Sequence, residues 1–191
     1  MSVSELVLAS GSPRRFELLQ LLDRPFSVVH PNVPEQRLPA ETADDYVRRL
    51  ALSKARAGAA MVTPNSTVLG ADTIVAVDDG VLEKPIDYAD YVRMMKQLSG
   101  RTHQVLTAVA AVRGQREHAI LSRAEVPFKP LTDAEIERYW ESQEPLDKAG
   151  GYGIQGRAAK FITGMVGSYW AVVGLPVYET EQLIQFIEGD A

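Results

Sequence analysis

The stretch Leu6-Val7-Leu8-Ala9-Ser10-Gly11-Ser12-Pro13-Arg14-Arg15 sets the reading of the whole chain. Its apolar start feeds Ser-Gly-Ser, and Phe16, Leu18, Leu19 and Leu22 follow at helical spacing, which predicts a strand, a tight turn and a helix. Ser12 is the natural N-cap. Pro13 takes the first helical position, where its missing N–H costs nothing and its fixed φ is suitable. Arg14 and Arg15 then fall in the first turn, at the positive pole of the helix dipole, where each cation costs up to ~1 kcal/mol unless an anion is near. Exposed backbone N–H groups, two hydroxyls, a glycine permitting close approach and two guanidiniums together describe a phosphate cradle. A basic surface turn would carry the same residues.

The chain has 191 residues, which suits one domain over 1–191, or one body with two lobes. A hydrophobic content of 46% with ordinary Gly and Pro usage indicates a globular protein. The net charge of −5 argues against a general polyanion surface, so nucleic acid is not expected as a partner and a phosphate site must be a local concentration of Lys and Arg. There is no cysteine, which excludes disulfides, thiol catalysis and cysteine-ligated zinc, and is consistent with a reducing cytosol. His30, His103 and His118 are scattered, which disfavours a His-based metal site or a Ser-His-Asp triad. Met-Ser-Val-Ser-Glu at the start lacks a basic n-region, and no apolar run approaches membrane-spanning length. A cytoplasmic protein without membrane partners is expected.

Outward from the first helix, Phe26-Ser27-Val28-Val29 reads as a strand, and His30 to Pro39 as a proline-bearing loop. Thr42 with Asp45 predicts a capping box for a helix to about Ala60, whose inner stripe is Val47, Leu50, Ala51 and Lys54. A lysine on an apolar stripe needs a partner or must snorkel at the helix edge. Thr67 to Val77 alternates as a strand interrupted at Asp72-Thr73, since Asp suits a strand interior poorly. Asp78-Asp79-Gly80 predicts a hairpin turn that returns Val81-Leu82-Glu83-Lys84 with Lys84 opposite Ile74 or Val75. Pro85 to Leu98 reads as a helix stopped at Ser99-Gly100, Val105–Val112 and Ala119–Phe128 as paired strands, and Thr132 with Glu135 as the cap of a helix to about Trp140. Lys148 to Gly156 is a glycine-dense loop without a Walker ending. Trp170 to Val173 is expected as a strand, with Pro176 opening a last helix to about Ile187. The sum is an α/β chain with a mixed twisted sheet flanked by helices.

The unusual residues share a theme. Arg14 and Arg15 at a helix start, Lys54 on an inner face, Lys84 at a hairpin end, and the carboxylates Asp72 and Glu35 suit phosphate chemistry. Fixed cations can hold a polyphosphate and stabilise a leaving pyrophosphate, while a carboxylate binds a divalent ion or orients water. Nothing supplies a nucleophile–base pair, so direct attack by water is the economical route.

Leu8-Ala9-Ser10-Gly11-Ser12-Pro13-Arg14-Arg15, Lys54-Ala55, Gly70-Ala71-Asp72-Thr73, Glu83-Lys84-Pro85, Leu146-Asp147-Lys148-Ala149-Gly150 and Tyr152-Gly153-Ile154-Gln155-Gly156, in that order, resemble the Maf family of nucleoside triphosphate pyrophosphatases over nearly the whole chain. The resemblance is strongest to the branch acting on dTTP and UTP. It implies two lobes around a deep cleft, an architecture similar to inosine triphosphatase, and cleavage between the α- and β-phosphates with Mg²⁺ or Mn²⁺. It implies a catalytic role for Asp72, as general base or metal ligand, and phosphate binding by Ser10, Ser12, Arg15, Lys54 and Lys84. Glu35 matches an acidic site position and is the second metal candidate. Arg14, Thr73 and Gln155 match positions associated with substrate choice. A homodimer is plausible on the same ground. Two departures stand out, Ser53 before Lys54 and Pro34 before Glu35, each where an acid is common; either would weaken metal affinity. Two alternatives stay open, a pyrophosphatase for 7-methyl-GTP or another modified purine, and a regulatory protein in cell division.

Overall fold

A computed structural model describes residues 5–78 and 80–189. The first four residues and Asp79 of the expected hairpin turn lie outside them. β1 (Leu6–Ala9) leads through Ser10–Ser12 into α1 (Pro13–Gln20), with the Ser12 hydroxyl accepting from the Arg15 N–H and Pro13 at the first position. β2 (Phe26–Val29), α2 (Ala43–Ala59) and β3 (Thr67–Val77) follow, then the short β4 (Gly80–Leu82) and α3 (Tyr88–Leu98). The long hairpin β5 (Thr102–Arg113) and β6 (Arg116–Pro127) precedes α4 (Asp133–Glu141), several 3-10 turns between 144 and 161, β7 (Val166–Gly167), α5 (Tyr169–Val173) and α6 (Val177–Glu188).

The strands form one mixed sheet in the order β2-β1-β3-β5-β6-β7, with β4 added beside β3. β1 runs parallel to β2 and β3, and the remaining pairs are antiparallel. Side-chain alternation along β3 divides the layers. Ile74 and Ala76 join Tyr46, Val47, Leu50, Ala51 and Ala55 of α2 on one face. On the other, Leu69 and Ala71 pack under α1 and α6, while Val75 and Val77 pack with Tyr91, Met95 and Tyr139 of α3 and α4. Two cores therefore share that face, one at each end of β3, and Thr73 falls between them.

The close seating of α2 has a single-residue cause. A Cβ at Gly70 would overlap the Ala51 carbonyl oxygen and the Ala55 nitrogen, so only glycine lets the helix backbone lie directly on the strand.

Four expectations are corrected. Trp170–Val173 is helical, since Ser168 caps Ala171 and Gly174, at φ 136, ends the turn. A four-residue apolar run carries too little period to tell helix from strand. β3 is continuous through Asp72, which is buried but ion-paired. Across the hairpin Val77 pairs Gly80, which shifts the register by one, and Lys84 lies beyond the last paired residue, Leu82. Helix α3 starts at Tyr88, because the Asp87 side chain caps the Asp90 N–H. At α2 the Thr42 hydroxyl accepts from the Asp45 N–H, while α4 has the full reciprocal capping box of Thr132 and Glu135.

His103 on β5 is buried, with Nε2 2.7 Å from the Tyr152 hydroxyl and Nδ1 unpartnered among the described residues. Burial pushes its imidazole down from 6.5 to about 4. Between those values the unfolded chain binds the extra proton, so stability falls as the pH is lowered through that window. Urea unfolding is expected to show a loss of about 2 kcal/mol from pH 7.5 to pH 5 through this group, and His103→Gln to lose most of that dependence. An unchanged slope in the variant would contradict the assignment.

Candidate active site

The sheet opens where its strands change partners. β1 leaves β3 after the Ala9–Gly70 pair, and β4 joins the same edge only at Val75. The edge between them carries Asp72 and Thr73, next to the carboxyl end of β1 and the turn that enters α1. Crevices outside the carboxyl ends of parallel strands are where open α/β sheets bind ligands. Here the crevice is a cleft of about 770 Å³, and all ten residues singled out in the sequence line it: Ser10, Ser12, Arg14, Arg15, Glu35, Lys54, Asp72, Thr73, Lys84 and Gln155.

Lys54 is the centre of the α2 side. Its ammonium lies 2.7 Å from Asp72 Oδ1 and 2.6 Å from Glu35 Oε1. The Lys54 and Asp72 side chains are only 12% and 10% exposed, so their attraction is screened far less than that of a surface pair. The inner-face lysine thus has the partner its position required. At Glu35 burial acts upward, but the Lys54 hydrogen bond and the charges of Lys54, Lys84 and Arg15 outweigh it and hold the carboxyl below its ordinary value. The loop after β2 delivers Glu35, and the Tyr46 hydroxyl stands 3.2 Å from its carbonyl and 2.6 Å from Glu83 Oε1.

Arg15 is held from three sides. Its Nε donates to the Gly174 carbonyl at 3.0 Å, Nη1 to the Ser10 hydroxyl at 3.5 Å and Nη2 to the Thr73 hydroxyl at 3.2 Å. Burial pulls the guanidinium below its ordinary value, opposed by the charges of Asp72 and Glu35, and it remains a cation. Ser10 also accepts the Ser12 N–H at 3.2 Å, so its own proton is free to be donated. The first-turn cations of α1 therefore face carboxylates: Arg15 the Asp72–Glu35 pair, and Arg14 the Asp147 carboxylate at 3.4 Å.

The opposite wall is the 144–156 segment. Glu144 sits beneath its glycines, accepting the Tyr139 hydroxyl at 2.8 Å and the Arg157 N–H at 3.0 Å. A Cβ at Gly156 would overlap that carboxylate, so the glycine lets the loop wrap over it with the exposed Gln155 at the cleft. Asp147 accepts from Lys148 at 2.6 Å; burial acts upward on it, but Lys148 and Arg14 bring it below its ordinary value. The Gly150 N–H donates to the Glu83 carbonyl, which ties this wall to the segment bearing Lys84. Lys84 forms no ion pair among the described residues and acts on Glu35 through its charge.

Tyr46, Glu83, Glu144 and Asp147 line the cleft without having been singled out. Tyr46 could have been found, since 46, 50 and 54 fall on one helical stripe with Lys54. Glu83 and Asp147 fall inside two of the quoted motifs without a role of their own, and Glu144 carries no such signal, because only the fold brings Gly156 and the Arg157 N–H over it. The assembled cleft offers cations with free valence on one wall and a shared carboxylate pair beside them, an arrangement suited to a polyanion and a proton acceptor.

The chain matches the family model described as Maf-like protein over residues 5–187. A protein of Vibrio parahaemolyticus named dTTP/UTP pyrophosphatase is 56% identical over 180 residues, covering 94% of this chain and 95% of that one. One of the same name from Vibrio cholerae is 54% identical over 184 residues, covering 96% and 98%. The structure of the Staphylococcus aureus Ham1 protein overlays 98% of this chain and 100% of its own with a TM-score of 0.56 at 13% identity, a likeness of fold. With a family match across almost its full length and relatives more than half identical to it, the chain belongs to the Maf-like protein family.

Proposed function

We propose that the chain is a nucleoside triphosphate pyrophosphatase that hydrolyses dTTP and UTP to the nucleoside monophosphate and pyrophosphate. The observation that carries this reading is the ammonium of Lys54 held between Asp72 and Glu35, beside the three-point clamp on Arg15. The names of the Vibrio relatives support the pyrimidine substrates.

Arg15, Lys54 and Lys84, with the hydroxyls of Ser10 and Ser12, would hold the phosphate chain. Water attacks the α-phosphorus, the bond to the α–β bridging oxygen breaks, and its electron pair leaves with pyrophosphate, whose charge these cations stabilise. Asp72 takes the water's proton if it serves as general base. Arg14, Thr73 and Gln155 are assigned to choosing the base. The same reading makes residues 1–191 one functional unit working in the cytoplasm. A homodimer is proposed on the family resemblance.

The donor set also fits a divalent cation. Asp72 and Glu35 are hard carboxylates that share Lys54 Nζ as a partner, and Mg²⁺ is commonly held by one or two carboxylates together with substrate phosphates and water. Among the described residues no cluster of three or more His or carboxylate ligands exists, so such an ion would be shared with substrate and not caged by protein. When bound, Mg²⁺ or Mn²⁺ would offset phosphate charge.

A panel of nucleotides with Mg²⁺ or Mn²⁺ is expected to release pyrophosphate from dTTP and UTP, with 7-methyl-GTP slower by about tenfold or more. Asp72→Asn should lower kcat by about 100-fold or more. Absence of pyrophosphate from both pyrimidines would overturn the assignment, and preference for 7-methyl-GTP would move it to modified purines. Excess EDTA should abolish turnover and Mg²⁺ or Mn²⁺ restore it; activity that persists in the chelator would contradict the metal requirement.

A further inference from the structure

Thr107 is fully buried on β5, directly opposite Thr73 in the β3–β5 ladder. Its hydroxyl has two neighbours, the Ala171 carbonyl at 2.7 Å and the Thr73 hydroxyl at 3.0 Å. A carbonyl only accepts, so the Thr107 proton goes to Ala171. The Thr107 oxygen is then the acceptor for the Thr73 proton. The guanidinium has no acceptor, so Thr73 meets Arg15 Nη2 as an acceptor, with its own proton directed away to Thr107. Arg15, Thr73, Thr107 and the Ala171 carbonyl thus form one chain of donation with a single polarity, tying α1, β3, β5 and α5 together.

We propose that Thr107 is a positioning residue, which takes the Thr73 proton, holds the Thr73 oxygen against Arg15 and so fixes the Arg15 guanidinium in the orientation that grips the triphosphate. The contacts to Gly174, Ser10 and Thr73 use three of the five guanidinium N–H groups, one on each nitrogen. Two remain, one on each terminal nitrogen, a pair able to engage phosphate oxygens together. Without the Thr107 hydroxyl the Ala171 carbonyl loses its donor and the Thr73 proton its acceptor, so nothing on β5 holds the Thr73 oxygen in line with Arg15 Nη2. The proposal rests on Arg15 being a phosphate-binding residue, as proposed above.

Steady-state kinetics with dTTP on Thr107→Val, Thr107→Ser, Thr73→Val, the Thr73→Val/Thr107→Val double variant and Arg15→Lys test it. Thr107→Val, which keeps the branched shape, should raise KM about tenfold with kcat nearly unchanged, the size of one hydrogen bond to a charged group. Thr107→Ser restores the hydroxyl and should return KM to within about twofold of the parent, while the double variant should be no worse than either single one. An unchanged KM in Thr107→Val, an equal defect in Thr107→Ser, or additive single effects would overturn the proposal. If Thr107→Val does not fold, Thr107→Ala against Thr107→Ser gives the same comparison. Arg15→Lys separates the two layers. A raised KM there with a normal Thr107→Val overturns the positioning role alone, whereas a normal KM in Arg15→Lys overturns the phosphate reading and this proposal with it.

Discussion

The contact of α2 with β3 at Gly70 is the constraint on which the site depends. Strand positions 70, 72, 74 and 76 face the helix, and the missing Cβ at Gly70 lets the backbones meet. Ala51 and Ala55 are the helix residues at that contact, and Lys54 is their neighbour. Two residues further along the strand, Asp72 faces the same way and meets the Lys54 ammonium. A carboxylate inside a strand and a lysine on an apolar helix stripe would each be costly alone, because buried charges are tolerated only when paired. The small-residue contact brings them together, so the packing that completes the core also builds the charged pair.

The second device is the division of the opposite face. One core gathers under α1 and α6, another under α3 and α4, and the sheet between them carries Thr73 and Thr107 instead of apolar side chains. This gap coincides with the stretch of β3 edge between β1 and β4. Cleft and catalytic candidates therefore arise from topology, and the α1 turn and the 144–156 segment furnish its walls.

Much of this was legible in the chain because the signals were local. Ser12-Pro13 marks a helix start wherever it folds, and two arginines in the turn that follows ask for an anion. Lys54 was conspicuous because a cation on an apolar stripe is a contradiction that only a partner resolves. What could not be read depended on distant partners or on one-residue counts. Trp170–Val173 has too few residues to show a period, and its helix is decided by the Ser168 cap and the conformation of Gly174. Lys84 was misplaced because Val77 pairs Gly80 and not Val81. Glu144 reads as a surface acid until the fold slides it beneath Gly156, and Thr107 reads as an ordinary strand threonine until β5 pairs it with Thr73.

The distance between Lys54 Nζ and Asp72 Oδ1 in a crystal structure of Gly70→Ala tests the account most directly. An added Cβ must push α2 away from β3, so the contact, 2.7 Å here, should open beyond hydrogen-bonding distance, roughly 3.5 Å or more. A variant in which α2 keeps its seat and the contact stays at hydrogen-bonding length would contradict the claim that this packing positions the pair.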